Sequence, residues 1–131
     1  MSTHKLEQHP IHLDSASGAE AQPPFTGMDW YESYVQRYAA DGVRGRLVSM
    51  HTFTEPWTSW EMHPNGSEVV VCTAGEMTLH QEQPDGSVSA VHLRAGEYAI
   101  NTPGVWHTAD VQASATALFI TAGWGTQHRP R

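Results

Sequence analysis

From Arg46 onward the chain divides into short alternating or continuous apolar stretches separated by turn residues, the pattern of an all-β sandwich or barrel. The stretches predict strands over 46–53, 58–63, 68–74, 76–83, 88–93, 97–101, 105–111 and 115–122. Pro64-Asn65-Gly66-Ser67 offers an Asn-Gly pair and Pro84-Asp85-Gly86-Ser87 an Asp-Gly pair, both suited to tight antiparallel connections. A two-residue turn at Asp85-Gly86 would set Leu79 opposite His92. An odd-length loop or a bulge, the expected form, sets Leu79 opposite Leu93 on a shared apolar face and leaves His80 and His92 as exposed neighbours across the pair.

The N-terminal third reads differently. Residues 1–27 are rich in His, Ser, Ala, Pro and Gly and predict a loose arm, with Pro10 to Leu13 laid against a sheet edge. Residues 28–44 predict one short amphipathic helix, because Trp30, Tyr34 and Tyr38, with Tyr31 and Val35, recur at helical spacing. Asp29 and Glu32 form a capping-box pair and Gly42 supplies the stop. The barrel then occupies 45–123 and a C-terminal tail 124–131, in keeping with one hydrophobic core for a chain of 131 residues.

Composition narrows the partners. The longest apolar runs, Val69-Val70-Val71-Cys72 and Ala117-Leu118-Phe119-Ile120, are far too short to span a bilayer, so no membrane partner is expected. The first residues lack the basic start and apolar stretch of a secretory signal, which makes the cytoplasm the expected location. Cys72 is the only cysteine, so no intramolecular disulfide and no thiolate-rich zinc site can form; on an inner face it reads as a small hydrophobe. Seven Lys and Arg against fourteen Asp and Glu give a net charge of -7, which opposes binding to nucleic acid.

The candidate chemistry lies around Asn65-Gly66. A hairpin there sets His63 opposite Glu68 and Glu61 opposite Val70, so that Glu61, His63 and Glu68 share one face with Val70, Cys72 and Ala74. Buried charges of this kind need a counterion, and a divalent cation is the usual one. A fourth candidate, His107, stands in GEYAINTPGVWHTADV, where Thr102-Pro103-Gly104 turns into its strand. The alternative is a degenerate barrel in which the four side chains bond only to each other or to water. Of the tryptophans that could line a substrate mouth, Trp57, Trp60, Trp106 and Trp124, Trp60 and Trp106 flank inward positions and so point outward, where with Val69 and Val71 they suggest an interface. His4, His9, His12 and His128 lie in terminal segments and receive no role.

ExHPNGSExxxxxxG from Glu61 to Gly75 and GxxxxxTPGxWH from Gly96 to His107 resemble the two motifs of the cupin superfamily. The resemblance covers residues 45 to 123 and implies a jelly-roll antiparallel β-barrel. It assigns metal-ligand roles to His63, Glu68 and His107, while Glu61 stands where the family's first histidine is expected. Thr102 in place of Pro and Val111 in place of Asn also depart from the pattern, away from the ligands.

The function so implied is that of a metal-dependent enzyme acting on a small molecule, with Fe, Mn, Ni or Zn held by His63, Glu68, His107 and Glu61. Oxygen-dependent oxidation is the first reaction type to consider. If Glu61 stays off the metal it becomes a general base suited to isomerase or lyase chemistry. A non-catalytic ligand-binding or sensory cupin is the alternative of a different class. A homodimer is expected from the outward apolar positions.

Overall fold

The structure is a computed structural model that describes residues 2–131. Its strands are β1 (Ile11–Leu13), β2 (Ala19–Ala21), β3 (Arg46–Phe53), β4 (Ser59–Met62), β5 (Glu68–Glu82), β6 (Val88–Arg94), β7 (Tyr98–Asn101), β8 (His107–Asp110), β9 (Ala115–Thr121) and β10 (Gln127–Pro130), with a helix α1 (Met28–Arg37) ahead of β3. They form two antiparallel layers, β2-β1-β3-β9-β5-β7 and β10-β4-β8-β5-β6, joined through β5. The fold is a jelly-roll barrel, as the motif resemblance implies.

Two predicted strands, 68–74 and 76–83, are thus one. Its first half pairs with β7 and β9 and its second half with β6 and β8, with a bulge between Cys72 and Ala74 where it changes layer. Gly75 makes the change possible. It adopts φ +68°, and a Cβ on it would fall 2.1 Å from the Ser114 carbonyl oxygen. Between the layers Val70, Cys72, Met77, Leu79, Leu93, Ala109, Ala117 and Phe119 close the core.

The Asn65-Gly66 connection is not a hairpin. β4 pairs with β8 and β10, whereas β5 pairs with strands of both layers but not with β4, so the segment crosses from one layer to the other. Neither Asn65 nor Gly66 takes a positive φ. Gly66 instead permits close packing, since a Cβ there would lie 2.4 Å from that of Ala122. At Asp85-Gly86 the loop is odd-length, but the register differs by two residues from the expected one. Gln83 N–H donates to the Ser87 carbonyl, Gly86 takes φ +87°, and Leu79 faces Val91 while Met77 faces Leu93. Parity is preserved, so the apolar face is shared as expected. His80 now bonds Asp110 and His92 bonds Glu76 instead of flanking each other.

The terminal segments add strands that period-two patterning is too short to reveal. β1 pairs with β3, and β10, in the expected tail, pairs with β4. The helix ends at Arg37, seven residues before the expected bound, and the N-cap is Gly27 with no side-chain bond from an Asp29–Glu32 capping box. Asp41 is drawn away from the helix by His12 and Ser15, and Gly42 opens a single 3-10 turn (Gly42–Arg44).

On the outer face of the first layer the register builds two apolar rows. Val48, Ile120, Val69 and Ile100 form one, and Met50, Leu118, Val71 and Tyr98 the next. Tyr98 and Ile100 are exposed and the others half-buried.

Gly75→Ala is expected to lose about 2 kcal/mol or more in urea unfolding, combining the positive φ with a backbone clash. Gly86→Ala, with open space around it, is expected to lose about 1 kcal/mol. Equal losses would show that the layer change does not depend on Gly75.

Candidate metal centre

Two cross-strand rows, one per layer, face each other at one end of the barrel. In the first layer Glu68 stands between Asn101 of β7 and Thr121 of β9, its paired neighbours. Both donate to it, Asn101 Nδ2 to Oε1 at 3.2 Å and the Thr121 hydroxyl to Oε2 at 2.6 Å. In the second layer the row runs His128, Glu61, His107, Gln81 across β10, β4, β8 and β5. Gln81 Nε2 donates to Asn101 Oδ1 at 2.8 Å and ties the two rows together. His63, just beyond β4, is fixed by its own carbonyl, which accepts from Gly104 N–H at 2.9 Å.

Glu61, His63, Glu68 and His107 each turn one donor atom into a common space, and these atoms lie within 4.8 Å of one another. The expected side chains therefore come together, although through layer crossing and not through the hairpin. Parity explains this: the side-chain period of two keeps Glu61 and His63 on one side of their strand whichever partner it has.

The two buried imidazoles are held from behind. Thr126 Oγ1 donates to the Gly123 carbonyl at 2.8 Å, so it accepts from His63 Nδ1–H, also at 2.8 Å. His107 Nδ1–H donates to the Val105 carbonyl at 3.1 Å. With Nδ1–H tied outward in both rings, each imidazole in its neutral form, the form that binds a metal, directs an Nε2 lone pair into the cluster. Both Nε2 atoms are buried without a hydrogen-bond partner. Carboxylate oxygens lie near, Glu68 Oε1 3.1 Å from His107 Nε2 and Glu68 Oε2 3.2 Å from His63 Nε2, but not in line for a hydrogen bond. Orientation through Nδ1 is the arrangement of metal-binding histidines. Two carboxylates and two neutral imidazoles also match the charge of a divalent cation, so these residues fit such an ion.

Electrostatics within the cluster are strongly coupled. Burial raises the Glu68 carboxyl, but His107 and His63 beside it outweigh burial and bring it below the ordinary carboxylate range. Glu61 moves down for the same balance, burial opposed by His107 and His128. Burial disfavours a charged His107, yet the Glu61 and Glu68 carboxylates raise its pKa overall. A proton and a metal would thus compete for the same Nε2.

Glu61 differs from its companions. It is a quarter exposed, sits 3.7 Å from His107 Nε2, and is held through Oε2 by His128 Nε2 at 3.2 Å. Above it opens a cavity of about 870 Å³ between the barrel end and α1, lined by Trp57, Trp124 and by Tyr31 and Tyr34 of the helix among others. Trp60 and Trp106 point outward, where the Arg129 guanidinium stacks 5.4 Å and 4.4 Å from their ring centres.

Several positions that support the cluster were not evident from sequence. Asn101, Thr121, Thr126 and His128 owe their places at the cluster to pairings and contacts with segments far away in the chain, and His128 lies in what the sequence reads as a terminal tail. His12 also lies in a terminal segment. It is buried on the row that continues from Glu68 through Thr121 and Leu47, takes a bond from the Tyr34 hydroxyl at 2.6 Å, and donates to Asp41 at 2.7 Å. Local signal existed for Asn101, whose strand parity with Ala99 turns it inward, and for Thr121, which shares parity with Ala117 and Phe119.

No family model matches the sequence, and no curated protein sequence matches it. Solved structures do. Oxalate oxidase superimposes with a TM-score of 0.54 at 16% identity over 62% of this chain and 44% of its own. Oxalate decarboxylase gives 0.54 at 15% over 73% of this chain and 26% of its own. An uncharacterised double-stranded β-helix protein from Klebsiella pneumoniae gives 0.53 at 22%, over 66% of this chain and 76% of its own. The aligned region is thus less than half of either oxalate enzyme, and at these identities the likeness concerns architecture. Motifs, topology and superposition agree that this chain has the cupin fold.

Proposed function

We propose that the protein binds a divalent metal ion through His63, Glu68, His107 and Glu61 and uses it to act on a small molecule admitted through the cavity. The observation that carries this reading is the pair of buried Nε2 atoms left without partners while both Nδ1 atoms are tied outward. When bound, Fe, Mn, Ni or Zn would supply Lewis acidity, and a redox-active ion would add electron transfer to dioxygen. The chain's own groups do the rest. Asn101 and Thr121 hold the Glu68 carboxylate in one orientation, Thr126 and the Val105 carbonyl fix the imidazole tautomers, and the aromatic side chains of the cavity offer apolar surface to a substrate. In a five- or six-coordinate ion four protein donors leave one or two positions for substrate or dioxygen, which supports an oxygenase-like reaction as the first choice.

Glu61 supports a second reading. It is the least buried of the four, borders the cavity, and is braced by His128 from β10. Those features suit a carboxylate that stays off the metal and takes a proton from substrate, the chemistry of an isomerase or lyase.

The proposal includes a homodimer in which the two outward apolar rows of one copy meet those of a second, since such a flat, register-matched patch is costly to leave in water. The single free Cys72 is compatible with a reducing, cytoplasmic setting. No described helix is long and apolar enough to cross a membrane.

Equilibrium metal titrations test the site. Thr126→Val is expected to weaken binding by about 10- to 100-fold, because His63 loses the acceptor that orients it. Glu61→Gln is expected to weaken it as well; unchanged affinity with lost turnover would move Glu61 to the base role. Unchanged affinity in Thr126→Val would argue that His63 is not a ligand. For the dimer, Val71→Glu with Ile100→Glu is expected to halve the mass seen in sedimentation equilibrium. A wild-type monomer would remove that part of the proposal.

A further inference from the structure

The cavity over the cluster has an uneven chemistry. Among the described residues no Lys or Arg lines it, whereas Glu32 and Glu55 stand at its exposed edge and Glu61 and Glu68 at its floor. Phe53, Trp57 and Phe119 form one wall, with ring centres 5.5 Å, 6.1 Å and 6.2 Å apart. That wall begins beside the cluster, the Trp57 ring centre being 6.4 Å from that of His107. Tyr31 and Tyr34 of α1 line the cavity from the helix side. The Tyr31 hydroxyl and His51 Nε2, 3.5 Å apart, offer a neutral polar pair on the way in.

We propose that this cavity takes an uncharged aromatic small molecule that reaches the metal through a hydroxyl or carbonyl oxygen, and disfavours carboxylate dianions. The proposal rests on the metal reading of the site. A divalent cation with two carboxylate ligands has no net charge left to attract an anion. Strong recognition of a carboxylate elsewhere in the cavity calls for a free cation; among the described residues the cavity has no Arg or Lys, its His12 and His128 already face Asp41 and Glu61, and Glu32 and Glu55 make its edge acidic. A planar ring, by contrast, gains offset or edge-to-face contacts with the Phe53, Trp57 and Phe119 wall without desolvating an ionic group. The cavity volume of about 870 Å³ is within the range of small-molecule sites and far larger than oxalate requires.

Catechol, phthalate and oxalate are suitable probes, titrated at low salt into zinc-loaded and metal-free protein while tryptophan fluorescence is followed. Trp57 and Trp124 line the cavity and report occupancy. Catechol is expected to bind zinc-loaded protein about tenfold or more tighter than either dianion. In metal-free protein it binds more weakly but keeps its preference over phthalate. Phthalate or oxalate binding as tightly as catechol to the zinc-loaded protein overturns the proposal, and so does absence of catechol binding in both forms. Failure of zinc to load overturns the metal reading alone, because the preference for catechol over phthalate is still measured on metal-free protein. Glu32→Lys with Glu55→Lys is expected to raise phthalate affinity by about threefold and leave catechol within about twofold. Unchanged phthalate affinity removes the role assigned to the acidic edge.

Discussion

A carboxylate 2% exposed inside a β-barrel is the constraint around which the rest of this structure is arranged. Isolated in so apolar a place, the Glu68 charge would cost several kcal/mol, of order 5 or more. The barrel answers in two ways. Neighbours on both sides of its strand, Asn101 and Thr121, donate hydrogen bonds to its two oxygens. Two imidazoles from the opposing layer then approach within 3.1–3.2 Å, with Nε2 aimed inward and Nδ1 anchored outward. The first device could serve a purely structural carboxylate. The second leaves two imidazole nitrogens without hydrogen-bond partners, an arrangement that the proposed function assigns to a divalent ion.

The layer change of β5 makes that convergence possible. Because one strand belongs to both sheets, Glu68 at its start is embedded in the first layer and Gln81 near its end lies beside His107 in the second. The Gln81–Asn101 bond closes the loop between them. Gly75 permits the turn between layers and Gly66 the close crossing against Ala122. Helix α1 completes the cavity, held over the barrel end by Tyr34 on His12, by His12 on Asp41, and by the stacking of Tyr38 on His12 at 3.5 Å between ring centres.

Side-chain period carried most of what the sequence could reveal. Alternation located the barrel strands β3 to β9, dividing β5 in two, and put Glu61, His63, Glu68 and His107 on inward positions; that outcome survives a wrong partner because a slip by an even number of residues leaves each side chain on its own face. Pairing itself was not legible. Asn-Gly and Asp-Gly suggest turns, but whether Gly66 serves a tight hairpin or a close crossing depends on Ala122, which is distant in sequence. Thr126 and His128 were hidden for the same reason, since their places come from the segment after β9 and from β10 rather than from local spacing. His12 shows the limit of reading terminal segments as solvated: three residues of β1 suffice to carry it onto the inner row.

Metal content is the most direct test of this account. Protein purified without an affinity tag or chelator, then offered Fe, Mn, Ni and Zn in turn and freed of excess ion by gel filtration, is expected to retain one divalent ion per chain. The His63→Ala, His107→Ala double variant is expected to retain none. Negligible metal in both proteins would contradict the account and leave the cluster as a set of side chains bonded only to one another and to water.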